Sequence, residues 1–327
     1  MADSKFIERY RTLFVSQLEA KSKKTDPENL YEPITYMLEL GGKRLRPILT
    51  LMTAEVFGGS ADEAMDAALA VEMFHNFSLV HDDIMDDAPL RRGKTTVHEK
   101  WDLNTGILSG DAMLILAYQF FESYPPETFK ELTTLFSKTA LEVCEGQQYD
   151  IDFETREDVT IPEYIKMIEY KTSVLVAAAM KMGATVAKAS NKEADAVYEF
   201  GRNLGIAFQL QDDYLDAFGN PNTFGKQVGG DIIENKKTFL YLSSMEKGSK
   251  EQQESLLHLY SIKPKNPNAK VQAVKSIFQE CGAVEATKTE IKSFTHRAFD
   301  TLDMMKISKT NKKVLRQFGE NLMQRTV

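Results

Sequence analysis

The sequence predicts an all-α protein, a single-domain helical bundle, on three observations. Apolar residues recur at helical spacing nearly throughout, alternating β-branched runs are scarce, and the richest polar, glycine-rich stretch is confined to residues 219–238. With 327 residues, 43% hydrophobic and 27% charged, the chain has apolar material for a large core, and no linker divides it. Residues 1–327 are therefore read as one domain.

The elements follow in order. "SADEAMDAALAVEMFHNFSLVHDD", from Ser60, opens with Ser60 and Glu63 in capping-box spacing and predicts one long helix running to the aspartates. "TIPEYIKMIEYKTSVLVAAAMKMGATVAKA" repeats the device with Thr160 and Glu163, and Pro162 suits a first turn, so a second helix is expected throughout. In "EFGRNLGIAFQLQDDYLDAFGNPN", Leu204, Phe208, Leu215 and Phe218 mark a third, which stops at Gly219, Asn220 and Pro221. The loop "GNPNTFGKQVGGDIIENKKT" is longer than an ordinary connection, a property of functional loops. "SIKPKNPNAK", from Ser261, reads as a surface turn before the C-terminal helices.

Composition excludes several classes. A formal charge of -8 opposes general nucleic-acid binding, so anions must be held by local cations or metals. Cys144 and Cys281 lack CxxC spacing, which argues against a disulfide framework or structural zinc and for a reducing, cytoplasmic compartment. The N-terminus is amphipathic, unlike a secretory signal, and no apolar run approaches the roughly 20 residues of a membrane span.

One internal echo carries chemistry. "HDDIMD" ends the first long helix and "QDDYLD" nearly ends the third, so Asp82 with Asp86, and Asp212 with Asp216, share helix faces at i and i+4. Asp83 and Asp213 lie about 100° round the axis, at the edge of those faces. Two carboxylates about 5 Å apart repel by about 3 kcal/mol at an effective dielectric of 20. A single acidic helix end is ordinarily just solvated, but two on apolar helices point to a hard divalent cation, Mg²⁺ rather than Ca²⁺. The EF-hand spacing is missing, no buried strand is present to carry a phosphatase nucleophile, and paired glycosidase carboxylates leave the neighbouring cations unexplained. Those cations are Lys43, Arg44 and Arg46 after Gly41 and Gly42, then Arg91 and Arg92, Lys171 inside an apolar helix beside Thr172, and Lys226 and Lys236 past the second motif. Arg44 is read as surface charge. Acidic pairs with basic groups describe a site for magnesium-bridged diphosphates.

"GGKRLRP", "LVHDDIMDDAPLRRG", "YKTS" and "QLQDDYLD" followed by "GKQVGGD" together resemble the signature set of the trans-isoprenyl diphosphate synthases, the head-to-tail polyprenyl synthetases. The resemblance implies an isoprenoid-synthase-type bundle around a deep central cavity, usually a homodimer, with the two aspartate helices facing across its mouth. It implies that Asp82, Asp86 and Asp212, with Asp216 in a lesser part, hold three Mg²⁺ on an allylic diphosphate, and that Asp83 and Asp213 order metal-bound water. Arg91, Lys171 and Lys226 grip the same diphosphate. Gly42, Lys43, Arg46, His75 and Arg92 match the residues that receive isopentenyl diphosphate, His75 lying two helical turns before Asp82. Thr172 and Gln209 turn oxygen dipoles toward the allylic cation. His81 and His98 are left as structural.

The implied activity is condensation of an allylic diphosphate with isopentenyl diphosphate. Phe77, five residues before Asp82, is bulky and Ser78 small; in the family one aromatic with a small neighbour accompanies geranylgeranyl diphosphate as product, with farnesyl diphosphate the alternative. Phe74 serves equally as a deeper floor or as core. A terpene cyclase would take one diphosphate and have no need of "GGKRLRP" or His75. A non-catalytic subunit would have lost one aspartate cluster, and both are intact.

Overall fold

The structure, a computed structural model, describes residues 2–21, 24–219 and 229–324. Helices dominate, as expected: α1 Ala2–Lys21, α2 Glu28–Glu39, α3 Leu45–Val56, α4 Met65–Met85, α5 Val97–Lys100, α6 Leu103–Gln119, α7 Pro126–Thr155, α8 Ile161–Ile168, α9 Val174–Val186 and α10 Asn191–Phe218. After these come α11 Gly230–Ile233, α12 Phe239–Lys247, α13 Lys250–Tyr260, α14 Asn268–Glu280, α15 Ala283–Met304 and α16 Lys309–Met323. The only strands among the described residues, β1 Leu90–Arg91 and β2 Lys94–Thr95, make a small antiparallel hairpin.

The chain forms two compact units, residues 1–140 with 178–195, and residues 141–177 with 196–327. In the first, α4 is buried almost all round: Ala67, Ala68, Leu69, Ala70 and Val71 are fully inaccessible. Phe74, 1% exposed, meets Phe136 and Phe77 ring to ring. The core of the second unit gathers Tyr164, Ile168, Ile206, Leu210, Phe239, Val274, Phe278 and Phe294.

Local signals explain most boundaries. Thr160 and Glu163 form the expected reciprocal cap on α8, and Ser249 with Gln252 does the same for α13. Asp102 caps α6 by accepting from the Thr105 N–H at 2.9 Å. The third predicted helix ends at Phe218 as expected, and Ser261 begins the turn between α13 and α14.

Two expectations are corrected. Ser60 and Glu63 do cap each other, at 2.8 and 3.2 Å, but they close a turn over residues 61–64, and α4 begins at Met65. The second long helix is interrupted between α8 and α9 by a π-turn, Glu169–Ser173, which holds the YKTS motif. Among the described residues no helix is long and apolar enough to cross a membrane.

Candidate active site

In the first unit, α4 carries the leading acidic motif to its C-terminus, where Asp86 is the cap residue. Asp83 is 2% exposed, and Arg91 Nε donates to both its oxygens at 2.7 and 2.8 Å. The β1–β2 hairpin folds Arg91 back over α4 and sets its guanidinium 3.5 Å from Asp82. Loss of solvation raises the Asp83 pKa, and Arg91 opposes that rise.

A cationic cluster occupies the same unit. Arg46 lies 3.2 Å from His75, nitrogen to nitrogen, and its Nε is buried without a hydrogen-bond partner among the described residues. Loss of solvation, then Arg46, Arg92, Arg91 and Arg44, push the His75 pKa well below its ordinary value. A neutral imidazole therefore sits among arginines. Gly42 has φ of 124°, and a Cβ there would stand 2.8 Å from the Arg92 guanidinium, so only glycine allows Arg92 to lie along this turn and donate to the Gly41 carbonyl. Lys43 is exposed beside it.

Arg44 corrects the sequence reading. It is 6% exposed, pairs with Glu72 and donates to the Leu38 carbonyl, while Asn76 also donates to Glu72. A buried guanidinium needs such partners, and Glu72 becomes its neighbour only through the packing of the fold.

The second unit holds a cavity of about 140 Å³ lined by Asp150, Tyr164, Lys171, Thr172, Gln209, Asp213, Asp231, Lys236 and Lys237 with an apolar wall from Phe153, Met167 and Ile168. The π-turn presents Lys171 and Thr172 to it. Lys171 donates to Asp150 at 2.5 Å, the partner that a lysine in an apolar helix requires. Gly146 permits that approach, because a Cβ there would fall 2.2 Å from the Lys171 backbone nitrogen. Thr172 donates to Gln209 Oε1 at 3.3 Å, Gln209 Nε2 donates to Asp213 at 2.8 Å, and the 1%-exposed Tyr164 hydroxyl donates to the other Asp213 oxygen. The chain of donors fixes which end of the Gln209 amide meets Thr172.

Asp212 and Asp216 flank Asp213 on α10. The backbone returns to Asp216, which accepts the Asp231 N–H at 3.0 Å on its carboxylate and the Gly229 N–H at 2.6 Å on its carbonyl. Lost solvation, with Asp212 and Asp216 nearby, raises the Asp213 pKa to about 6, and lost solvation with Asp213 and Asp216 raises Asp231 to about 8. Asp212 and Asp216 on α10, with Asp231 brought back to Asp216, are an oxygen-only donor set of the kind a hard divalent cation takes, so these residues fit magnesium. Lys237 instead donates to the Phe153 and Glu154 carbonyls, at 2.9 and 3.1 Å, closing the C-terminus of α7.

The structure thus brings together Asp82, Asp83 and Arg91; Gly42, Arg46, His75 and Arg92; and Lys171, Thr172, Gln209, Asp213 and Lys236. Lys226 lies outside the described residues. Phe77, 9% exposed, meets the His81 ring edge-on, Phe74 belongs to the aromatic core, and Ser78 donates to the His75 carbonyl. Asp150, Tyr164 and Asp231 escaped the sequence reading. The glycine in "EGQQYD" and the aspartate ending "GKQVGGD" were the available signals.

Residues 27–278 match the polyprenyl synthetase family model. The chain is 39% identical over 284 residues to a geranylgeranyl diphosphate synthase of Methanosarcina mazei, covering 86% of each. It is 34% identical over 318 residues to a geranylfarnesyl diphosphate synthase of Natronomonas pharaonis, covering 92% of this chain and 91% of that one. A crystal structure of a geranylgeranyl pyrophosphate synthase superposes with TM-score 0.94 at 52% identity over 98% of this chain and 99% of the other. Helical architecture, paired aspartate motifs and these likenesses agree: the chain belongs to the polyprenyl synthetase family, whose members are prenyltransferases.

Proposed function

We propose that the protein is a short-chain trans-prenyltransferase that joins an allylic diphosphate to isopentenyl diphosphate, with geranylgeranyl diphosphate as its product. The observation that carries the reading is a cationic group in each unit: Arg46 and Arg92 around the neutral His75 in one, Lys171 and Lys236 lining the cavity of the other. Two diphosphate substrates need two such sites, whereas a cyclase acting on one diphosphate needs only one.

In this reading Asp82 and Asp86, and Asp212 with Asp216, hold magnesium, for which we propose three ions. When bound, the magnesium draws charge from the leaving diphosphate. Lys171, Lys236 and Arg91 share the same task on its outer oxygens, with Lys226 a further candidate, and the hydrogen bond to Asp150 aims Lys171. Asp83 serves by fixing Arg91, and Asp213 by fixing Gln209. Gly42, Lys43, Arg46, His75 and Arg92 receive isopentenyl diphosphate, His75 as a neutral donor that does not repel its arginines. The allylic C–O bond breaks, the isopentenyl double bond attacks the carbocation, and a proton leaves to the released pyrophosphate. Thr172 and Gln209 offer oxygens to the cation, and Phe153, Met167 and Ile168 exclude water.

Product length rests on Phe77 with Ser78 as its small neighbour, and the likeness to geranylgeranyl synthases supports the same product. A homodimer through α6 is supported by the exposed Leu103, Ile107, Leu108 and Ile115 on that helix. We place the enzyme in the cytoplasm on its cysteine usage. The test is incubation with Mg²⁺, isopentenyl diphosphate and, separately, dimethylallyl, geranyl or farnesyl diphosphate, with products resolved by chain length. Geranylgeranyl diphosphate is expected as the end product. Farnesyl or geranylfarnesyl diphosphate would overturn the length, and cyclic hydrocarbon formed without isopentenyl diphosphate, or no turnover at all, would overturn the reaction.

A further inference from the structure

The residues just beyond the first acidic motif make a second, unassigned group of metal-ligating side chains. Asp87 follows the motif, and the hairpin returns the chain so that Thr96 donates from N–H to the Pro89 carbonyl at 3.2 Å and from its hydroxyl to the Ala88 carbonyl at 2.7 Å. That closure sets His98 and Glu99 of α5 beside Asp87, with one ligand atom from each of the three within 4.8 Å of the others. The Asp87 and Glu99 carboxylates face solvent.

The imidazole gives the group its meaning. The His98 side chain is only 7% exposed, yet among the described residues neither of its ring nitrogens has a hydrogen-bond partner, and Nε2 stands 3.9 Å from Glu99. A neutral imidazole carries one donor and one acceptor, and buried polar atoms are rarely left unmatched. An unmatched nitrogen turned toward two carboxylates is how an unfilled metal ligand looks. The geometry points to a divalent-cation site formed by His98, Asp87 and Glu99, separate from the magnesium ligands of the reaction.

Ligand chemistry names the class of ion. Imidazole is a poor partner for Mg²⁺ and a good one for borderline ions such as Zn²⁺. Bonds of about 2.0–2.2 Å place two ligands of one zinc about 3–4 Å apart, a separation the exposed carboxylates reach by side-chain rotation. Three protein ligands leave an open position. An ion there ties the end of α4 to α5 and braces the hairpin that carries Arg91 and Arg92.

The test uses the full-length, metal-stripped protein, dialysed against micromolar Zn²⁺ with a millimolar excess of Mg²⁺ to occupy carboxylate-only sites, the bound metal being measured by mass spectrometry. One zinc per chain is expected. His98→Gln, and separately Asp87→Asn with Glu99→Gln, should weaken its retention about tenfold or more, while Asp82→Asn with Asp212→Asn should leave it unchanged. Because Asp87 and Glu99 are exposed, their double variant tests the site even if His98→Gln disturbs folding. No zinc retained over magnesium, equal retention by the Asp87/Glu99 variant, or loss with the Asp82/Asp212 variant would overturn the site.

Discussion

The two acidic motifs share a sequence pattern but not an electrostatic design. In each, the middle aspartate is withdrawn from solvent and held by two hydrogen bonds: Asp83 by a guanidinium, Asp213 by a phenol and an amide. A charged donor is about twice as strong as a neutral one and cancels the buried charge. Arg91 therefore resists the rise in the Asp83 pKa, whereas Asp213, with neutral donors and two carboxylates beside it, is lifted to about 6. The middle carboxylate of the first motif is held by a charged donor, that of the second by neutral ones.

Charge removal is the strongest way to break this comparison. Asp82→Asn and Asp212→Asn should each lower kcat by at least about 10²-fold, the scale for losing a group that stabilises transition-state charge. Steady-state rates at saturating Mg²⁺ check this, and a wild-type rate for either variant would remove that motif from the chemistry.

The middle aspartates separate the motifs by stability. Arg91→Met should destabilise the metal-free protein by about 3 kcal/mol, because it leaves the Asp83 carboxylate buried without its cation. Adding Asp83→Asn should recover most of the loss. Tyr164→Phe removes only a neutral donor, and about 1–2 kcal/mol is expected. Urea unfolding of the four proteins measures the difference, and equal losses for Arg91→Met and Tyr164→Phe would erase it.

Positions upstream sharpen the contrast. Five and four residues before Asp82 stand Phe77 and Ser78, whereas the same places before Asp212 hold the fully buried Ala207 and then Phe208, so the aromatic and the small residue exchange places between the motifs. Phe77→Ala should lengthen the product; an unchanged spectrum from labelled isopentenyl diphosphate would place the floor elsewhere. Seven residues before the motifs stand His75 and Gly205, so the smallest effect is one-sided. The folded His75 pKa lies well below its ordinary value near 6.5. Below that pH the unfolded chain binds a proton that the folded chain refuses, and stability falls by up to about 1.4 kcal/mol per pH unit. Above it the contribution is fully present. Unfolding curves between pH 5 and 8 should show this slope, and His75→Gln should flatten it.

Whatever repeats locally was legible in the sequence. The aspartate pairs needed only the helical period, and Lys171 announced itself as a charge in an apolar helix. Its answer, Asp150, lies 21 residues away on another helix, and no local pattern pairs them. Arg44 was misread for the same reason, since Glu72 is 28 residues on. Strands of two residues are too short to show a period, so the hairpin that brings Arg91 back to Asp83 went unseen. The cavity wall was partly visible, in YKTS and QLQDD, whereas no local pattern pairs Tyr164 with Asp213, 49 residues on.

The π-turn at Glu169–Ser173 constrains how this chain can change. It holds one residue more than a regular turn would, so α9 leaves it about 100° out of phase with α8. Deleting any residue there would restore an unbroken helix and swing every side chain of α9 away from its present neighbours. Outside Lys171 and Thr172, substitution is open to this segment; a shift in length is not.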